Sequence, residues 1–113
     1  MLYLIESRPE SALDAAAAFH SEVLPKVRDA LSSSGGDLLL VFATATHEHR
    51  AWRLAAVQQM ARDYAPNRVN ALEADDDAAI KAVSAYLKEA PGMTGQLLKL
   101  DGNGAQALLS ESQ

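Results

Sequence analysis

The segment from residue 44 to residue 50 holds the densest group of side chains that could do chemistry. It contributes two threonine hydroxyls, two imidazoles and a guanidinium, from Thr44, Thr46, His47, His49 and Arg50. The segment directly follows an apolar run, and open parallel sheets bind ligands where their strands end. A helix that begins here would also turn its backbone N–H groups toward an anion. We therefore predict a small-ligand site in this segment, for an anion or a nucleotide, to which Arg8 could contribute.

We expect no metal site in this segment. His47 and His49 are separated by a single residue, so they do not share a helical face, and no third ligand stands at a recognisable spacing. The alternative interpretation of the cluster is a solvated helix N-terminus. The acidic run from Asp75 to Asp77 fits a helix start better than a cation site, because the helix dipole favours negative charge there.

The composition excludes several classes of protein. The chain has 113 residues, with 10 Lys and Arg against 15 Asp and Glu, which gives a net charge of −5. This acidic balance argues against nucleic-acid binding, which needs clustered basic side chains. No apolar run reaches the roughly 20 residues of a membrane span, and the lack of cysteine excludes thiol catalysis. We expect a cytoplasmic protein with one domain over residues 1–104 and a C-terminal tail over 105–113.

The apolar pattern alternates between strands and helices along the chain. Apolar runs predict strands at 2–5, 38–43, 68–72 and 96–100. Apolar residues three and four apart predict helices at 11–31, 47–64 and 75–90. The order β-α-β-α-β-α-β predicts an α/β fold, in which a four-stranded parallel sheet carries three helices on its faces.

The first predicted helix has a start signal and a proline in its interior. Ser11, with Asp14 three residues later, fits an N-cap. Pro25 is expected to bend the helix without ending it, because the apolar spacing continues on both sides. The inner stripe is expected to contain Leu13, Ala17, His20, Leu24, Val27 and Leu31. On the second helix, Trp52 and Tyr64 are predicted to anchor the core or an interface.

Several segments resemble the C-terminal half of the short-chain dehydrogenase/reductase family. Arg62-Asp63-Tyr64-Ala65-Pro66, followed by Arg68-Val69-Asn70-Ala71, resembles that family's helix end and next strand. Residues 93–102, with the sequence Met-Thr-Gly-Gln-Leu-Leu-Lys-Leu-Asp-Gly, resemble its closing segment. Leu24-Pro25 in a long helix, followed by Gly36 and an apolar strand, is also similar. The resemblance implies a Rossmann-like three-layer half-domain.

The family's functional motifs are missing at the matching positions. Its Gly-rich TGxxxGxG turn, which lets the backbone approach a cofactor diphosphate, is replaced by Glu6-Ser7-Arg8-Pro9. The family's Tyr and Lys fall at Thr46 and Arg50, and its Ser falls near Ala43 or Thr44. A threonine hydroxyl is too weak an acid to replace that phenol. The resemblance therefore implies a truncated pseudoenzyme with no cofactor and no catalytic residues.

An interaction role follows from the same resemblance. In that family the two helices flanking the second strand of this half pack about a two-fold axis into a four-helix dimer interface. Here they are residues 11–31 and 47–64, with alanine-rich faces at Ala15–Ala18 and at Ala51, Ala55 and Ala56. We predict a non-catalytic interaction or regulatory module, which forms a homodimer or associates with a full-length dehydrogenase. The alternative is a small-ligand (anion or nucleotide) binding protein or minor enzyme that uses residues 44–50.

Overall fold

The structure is a computed structural model that describes residues 1–6 and 11–99. Its elements are β1 (Leu2–Leu4), α1 (Ala12–Ala18), a π-helical turn (Phe19–Val23), α2 (Leu24–Ser34), β2 (Leu38–Phe42), a 3-10 turn (His47–His49), α3 (Arg50–Asp63), β3 (Val69–Glu73), α4 (Asp77–Lys88) and β4 (Leu97–Lys99). The π turn joins α1 and α2 into one continuous helix. The predicted order of four strands and three helices is confirmed.

All neighbouring strands are parallel and follow one another in the order β1-β2-β3-β4. Leu38 pairs with Val69 across the two central strands. Because every connection returns through a helix, the carboxyl ends of the strands share one edge of the sheet and their amino ends share the other. The loops that follow β1 and β2 are therefore brought together at the carboxyl edge.

Helices cover both faces of the sheet. On one face, Leu40 and Phe42 of β2 pack with residues of α2 and α3, such as Val27 and Val57. On the opposite face, Leu39 and Val41 of the same strand pack with Leu72, Val83 and Leu87. All five residues of β2 are buried, as its unbroken apolar run predicts for a strand covered on both sides. The predicted three-layer α/β architecture is confirmed.

The inner stripe of the first helix differs from the prediction in its first half. Leu13, Ala17 and His20 are exposed, and the buried residues there are Ala15, Phe19 and Val23, followed by Val27 and Leu31 as predicted. These five residues are each four apart. Such a stripe drifts around a helix of 3.6 residues per turn, and the wider π turn at 19–23 compensates for the drift.

The predicted helix boundaries are largely confirmed. The Ser11 hydroxyl accepts a hydrogen bond from the backbone N–H of Asp14, and Asp76 caps α4 by accepting from Ala79. The first helix continues through Pro25 and ends before Gly35, whose positive φ of 66° favours glycine. On α3 the buried positions are Arg53, Ala56, Val57 and Met60, whereas Leu54 and Ala61 are half-buried, as are the predicted anchors Trp52 and Tyr64.

Arg68 connects several elements at the amino edge of the sheet through hydrogen bonds. The backbone N–H of Arg68 donates to Asp37 Oδ1 and its Nε donates to Oδ2, at 2.7 and 3.0 Å. Its Nη1 donates to the carbonyl oxygens of Leu87 and Ala90, at 2.9 and 2.6 Å. One side chain thus joins the starts of β2 and β3 to the end of α4.

The outer strand β1 leaves apolar side chains exposed, as expected of an edge strand. Leu2 and Leu4 pair with Leu39 and Val41, so they point to the face that α4 covers. Leu2 is 46% exposed and Leu4 is 62% exposed. On the other face, Tyr3 and Ile5 pack against the larger core cluster.

Some predictions lie outside the described residues. They include the contribution of Arg8, the last residue of the predicted fourth strand and the tail at 105–113. Within residues 1–6 and 11–99, no helix combines the length and the apolarity needed to cross a membrane.

Candidate functional site

A cavity of about 540 Å³ opens at the carboxyl edge, between the ends of β1 and β2 and the two helices above them. Its apolar wall consists of Ile5, Ala15, Phe19, Val23, Phe42 and Trp52. Polar atoms come from Glu6, Thr44, Thr46, Glu48, His49 and Arg53, and Ala43 and Ala45 complete the lining. The volume is within the usual range for small-molecule sites, about 300–1,000 Å³.

Three aromatic rings form one wall of this cavity. Phe19 is the first residue of the π turn, Phe42 is the last residue of β2 and Trp52 lies in the first turn of α3. The Trp52 ring centroid is 5.5 Å from that of Phe19 and 5.6 Å from that of Phe42. Phe19 and Phe42 are fully buried, so this wall is fixed by the packing of the two helices on the strand end.

Arg53 is the buried cation of the site. It is only 7% exposed, and its Nη1 donates to the carbonyl oxygen of Ala43 at 2.9 Å. Its guanidinium carbon lies 4.6 Å from the Phe42 ring centroid and 5.7 Å from the Trp52 centroid, within cation–π range. Its Nε–H is buried and has no hydrogen-bond partner among the described residues.

Glu73, at the end of β3, is the counter-ion. It is 8% exposed, and its Oε2 lies 3.5 Å from Arg53 Nη1. Its Oε1 accepts the backbone N–H of Ala45 at 3.0 Å and lies 3.5 Å from Lys99 Nζ. Burial lowers the pKa of Arg53 from its ordinary value, and the charge of Glu73 opposes this shift. The guanidinium still remains charged, because arginine pKa values are so high.

The loop after β2 is held by a second carboxylate. The Thr44 hydroxyl donates to Asp75 Oδ2, and the Thr44 backbone N–H donates to Asp75 Oδ1 at 3.0 Å. These hydrogen bonds, the one from the hydroxyl first, lower the pKa of Asp75. The loop over residues 43–46 is thus fixed from β3 by Glu73 and Asp75. The Thr44 hydroxyl is therefore already used in a hydrogen bond within the fold.

His49 lies at the junction of the 3-10 turn and α3 and is buried. Its Nδ1 is 3.2 Å from the Trp52 indole Nε1, which can only donate. Nδ1 is therefore the acceptor, which places the ring proton on Nε2. This contact orients the Trp52 ring at the cavity wall.

The structure brings together three of the five residues that the sequence proposes for a ligand site. Thr44, Thr46 and His49 line the cavity. His47 and Arg50 are exposed and lie outside its described lining. Thr46 and Arg50, which occupy the positions of the family's Tyr and Lys, are both exposed.

Sequence reasoning missed Arg53 and Glu73, which hold the buried charges of the site. A usable signal did exist, because Arg53 is three residues before Ala56 and four before Val57 and so falls on the buried stripe of α3. Glu73 directly continues the apolar end of a strand that is buried throughout. Opposite charges at two such positions indicate a buried pair, because an isolated buried charge is very unfavourable.

No three His, Cys, Asp or Glu residues lie close enough to hold a metal ion in the part of the chain that the structure describes. His47, His49 and the acidic residues 75–77 belong to that part of the chain.

One comparison with known proteins gives a family. The family model described as "SDR-like: Short chain dehydrogenase-like protein" matches residues 3–100. Comparison with curated proteins and with solved structures gave no match. The family match covers all of β1 but its first residue, the other three strands and the three helical connections between them. The chain therefore belongs to the short-chain dehydrogenase-like family.

Proposed function

We propose that this protein is a non-catalytic module that acts by association, first of all with a second copy of itself. The positions of the family's acid and base hold Thr46 and Arg50, which cannot form the phenol–ammonium pair of that chemistry. Thr44, near the position of the family's Ser, donates its hydroxyl to Asp75. These three side chains support a role other than the family's oxidoreduction.

The observation that carries the association proposal is the exposure of Leu13. Leu13 is 81% exposed on α1, the largest exposed fraction among the large apolar side chains of the described residues. Ala17 lies one turn further along the same helix and is exposed too. Burial of one leucine side chain contributes about 1.5–3 kcal/mol. Covering Leu13 would therefore make the free energy of association more favourable.

The neighbouring helix α3 carries a matching outward face. Ala51 and Ala55 are one turn apart and exposed, and α1 contacts α3. Small side chains let helices approach closely. The outward faces of α1 and α3 at Leu13, Ala17, Ala51 and Ala55, which we call the helix face, would form a four-helix contact with a second copy. A full-length dehydrogenase of the family is the other partner that this face could accept.

Analytical ultracentrifugation of the full chain tests this proposal. We expect a dimer at micromolar concentration that Leu13→Glu converts to a monomer, since the charge would be buried in the interface. Leu4→Glu is the matched control, because Leu4 is also largely exposed to solvent, at 62%, but lies on β1 and away from the helix face. A monomeric wild-type chain, or a dimer that only Leu4→Glu dissociates, would contradict the proposal.

A second candidate function is anion binding by residues 44–50. It is favoured by the position of Thr44, Thr46 and His49 in the cavity lining and by the start of a helix at the same place. Thermal shift with phosphate and with ATP tests it. A rise in melting temperature that Arg50→Ala removes would support this candidate, and the absence of any rise would count against it.

A further inference from the structure

The cavity at the carboxyl edge contains a buried donor that the described residues do not satisfy. Arg53 Nε–H has no acceptor there, although the side chain lines a cavity and is almost fully buried. Leaving such a donor unpaired is unfavourable, because its hydration is lost on burial and nothing replaces it. Native proteins satisfy nearly all their buried donors. An acceptor that enters from the cavity would remove this cost.

The buried carboxylate beside Arg53 does not satisfy all of the arginine's donors. Among the described residues, Glu73 is the one buried carboxylate in this group, and it is shared between Arg53 and Lys99 at 3.5 Å each. Lys99 is 56% exposed, so Arg53 is the buried cation of this group, and one Glu73 oxygen also accepts the Ala45 N–H. A ligand carboxylate in the cavity would supply the missing acceptor for Arg53.

The remaining lining limits what that carboxylate can be attached to. Phe19 and Phe42 are fully buried, so the half-buried Trp52 ring that packs on them offers the aromatic surface, which suits a flat apolar group. Glu6 and Glu48 are the acidic residues of the described lining and both are exposed. They would repel a ligand with several negative charges, such as a polyphosphate, more strongly than a ligand with one.

We propose that this cavity binds a small aromatic monocarboxylate, whose carboxylate accepts hydrogen bonds from Arg53 and whose ring packs against Trp52. Under this proposal Arg53 and Glu73 belong to the ligand site at the carboxyl edge. It does not depend on the helix face or on dimerisation, so each proposal can fail without the other.

Titration with benzoate and with phenylacetate tests the proposal, with benzamide and phenylacetamide as neutral counterparts. Trp52 is the only tryptophan in the chain and forms part of the wall, so its fluorescence reports occupancy. We expect a saturable change with both acids and affinity about tenfold weaker for the amides, since a charge-assisted hydrogen bond is lost. No saturable change, or equal affinity for acid and amide, would overturn the proposal.

Three variants of the full chain locate the binding. Glu73→Gln can still accept the Ala45 N–H but removes the competing charge, so we expect tighter benzoate binding, by about threefold to tenfold. The double variant Arg53→Met/Glu73→Leu removes both charges and should lose binding by more than about tenfold. Arg62→Ala, at the exposed far end of α3, is the control and should not change it.

Circular dichroism of each variant shows whether it is folded, and the wild-type acid and amide comparison needs no substitution at all. Weaker binding in folded Glu73→Gln would overturn the proposal, as would an equal loss in Arg62→Ala.

Discussion

Arg53 and Arg68 occupy opposite edges of the same sheet and differ in how completely they are paired. Arg68, at the amino edge, uses its backbone N–H, Nε and Nη1 for four hydrogen bonds of 2.6–3.0 Å, to Asp37, Leu87 and Ala90. Arg53, at the carboxyl edge, has one hydrogen bond from Nη1, an ion pair at 3.5 Å and an unpaired Nε–H among the described residues.

The difference shows what each edge contributes. At the amino edge, the hydrogen bonds of Arg68 satisfy its side chain and stabilise the fold. The carboxyl edge carries a buried cation that is incompletely paired, beside a cavity with aromatic walls, at the edge where parallel sheets bind ligands. Removal of each arginine should therefore have different consequences.

The largest effect is expected for Arg53→Met. This variant leaves Glu73, at 8% exposure, without its buried cation, since its other cationic partner, Lys99, is 56% exposed. Breaking a buried pair from one side costs about 3–5 kcal/mol in the free energy of unfolding. Urea denaturation measures this loss. The double variant Arg53→Met/Glu73→Leu should recover more than half of it, because no charge is then left buried. A loss below about 1 kcal/mol for the single variant would mean that the pair behaves as an exposed one.

A smaller loss, about 2 kcal/mol, is expected for Arg68→Met. The variant removes three side-chain hydrogen bonds, but Asp37 is half-exposed and can be hydrated once its partner is gone. Arg68→Lys should fall between wild type and Arg68→Met, since an ammonium keeps the charge but not the planar fork. If Arg68→Met cost more than Arg53→Met in the same denaturation series, the assignment of the buried charge to the carboxyl edge would be wrong.

The smallest effects are expected in the stability of the protein at acid pH. The pKa of Asp37 is lowered from its ordinary 3.8, mainly by the Arg68 backbone N–H, and that of Asp75 by Thr44. A carboxylate with a lowered folded pKa stabilises the protein above its unfolded pKa, and this contribution is lost as the pH falls through the folded value. Both contributions should therefore decrease as the pH falls below about 4.

Urea denaturation at about pH 6 and about pH 3 measures that loss for Asp37→Asn and Asp75→Asn. Each variant should lose less stability on acidification than the wild type. Asp37→Asn should show the larger reduction, because its partner is a cation and that of Asp75 is a neutral hydroxyl. An acid loss that stays the same in both variants would contradict the proposed pairing.

The architecture could be predicted because it depends on local patterns. The unbroken apolar run at 38–42 indicates a strand buried on both faces, and Ser11 and Asp76 indicate helix starts through their short polar side chains. The inner face of the first helix could not be predicted, because it depends on the π turn at 19–23. A π turn has no simple sequence signature, and it shifted the stripe from Leu13 and Ala17 to Ala15 and Phe19.

The location of the candidate site could be predicted from the sequence, but its two buried charged residues were not predicted. Polar side chains after a buried strand indicate the carboxyl edge, and Thr46 and His49 do lie on the cavity. Arg53 and Glu73 are far apart in sequence, so their pairing depends on how α3 packs on β3. A charged residue within a helix is usually interpreted as solvent-exposed, which is why this pair was missed.

The most direct test of the account compares the Nε–H signals of Arg53 and Arg68 in a proton–nitrogen correlation spectrum during a benzoate titration. We expect the Arg53 signal to move to higher proton frequency and to saturate, whereas the Arg68 signal, already bonded to Asp37, stays in place. An Arg53 signal that does not move, or equal movement of both signals, would contradict the claim that the carboxyl edge holds the unpaired donor of a binding site.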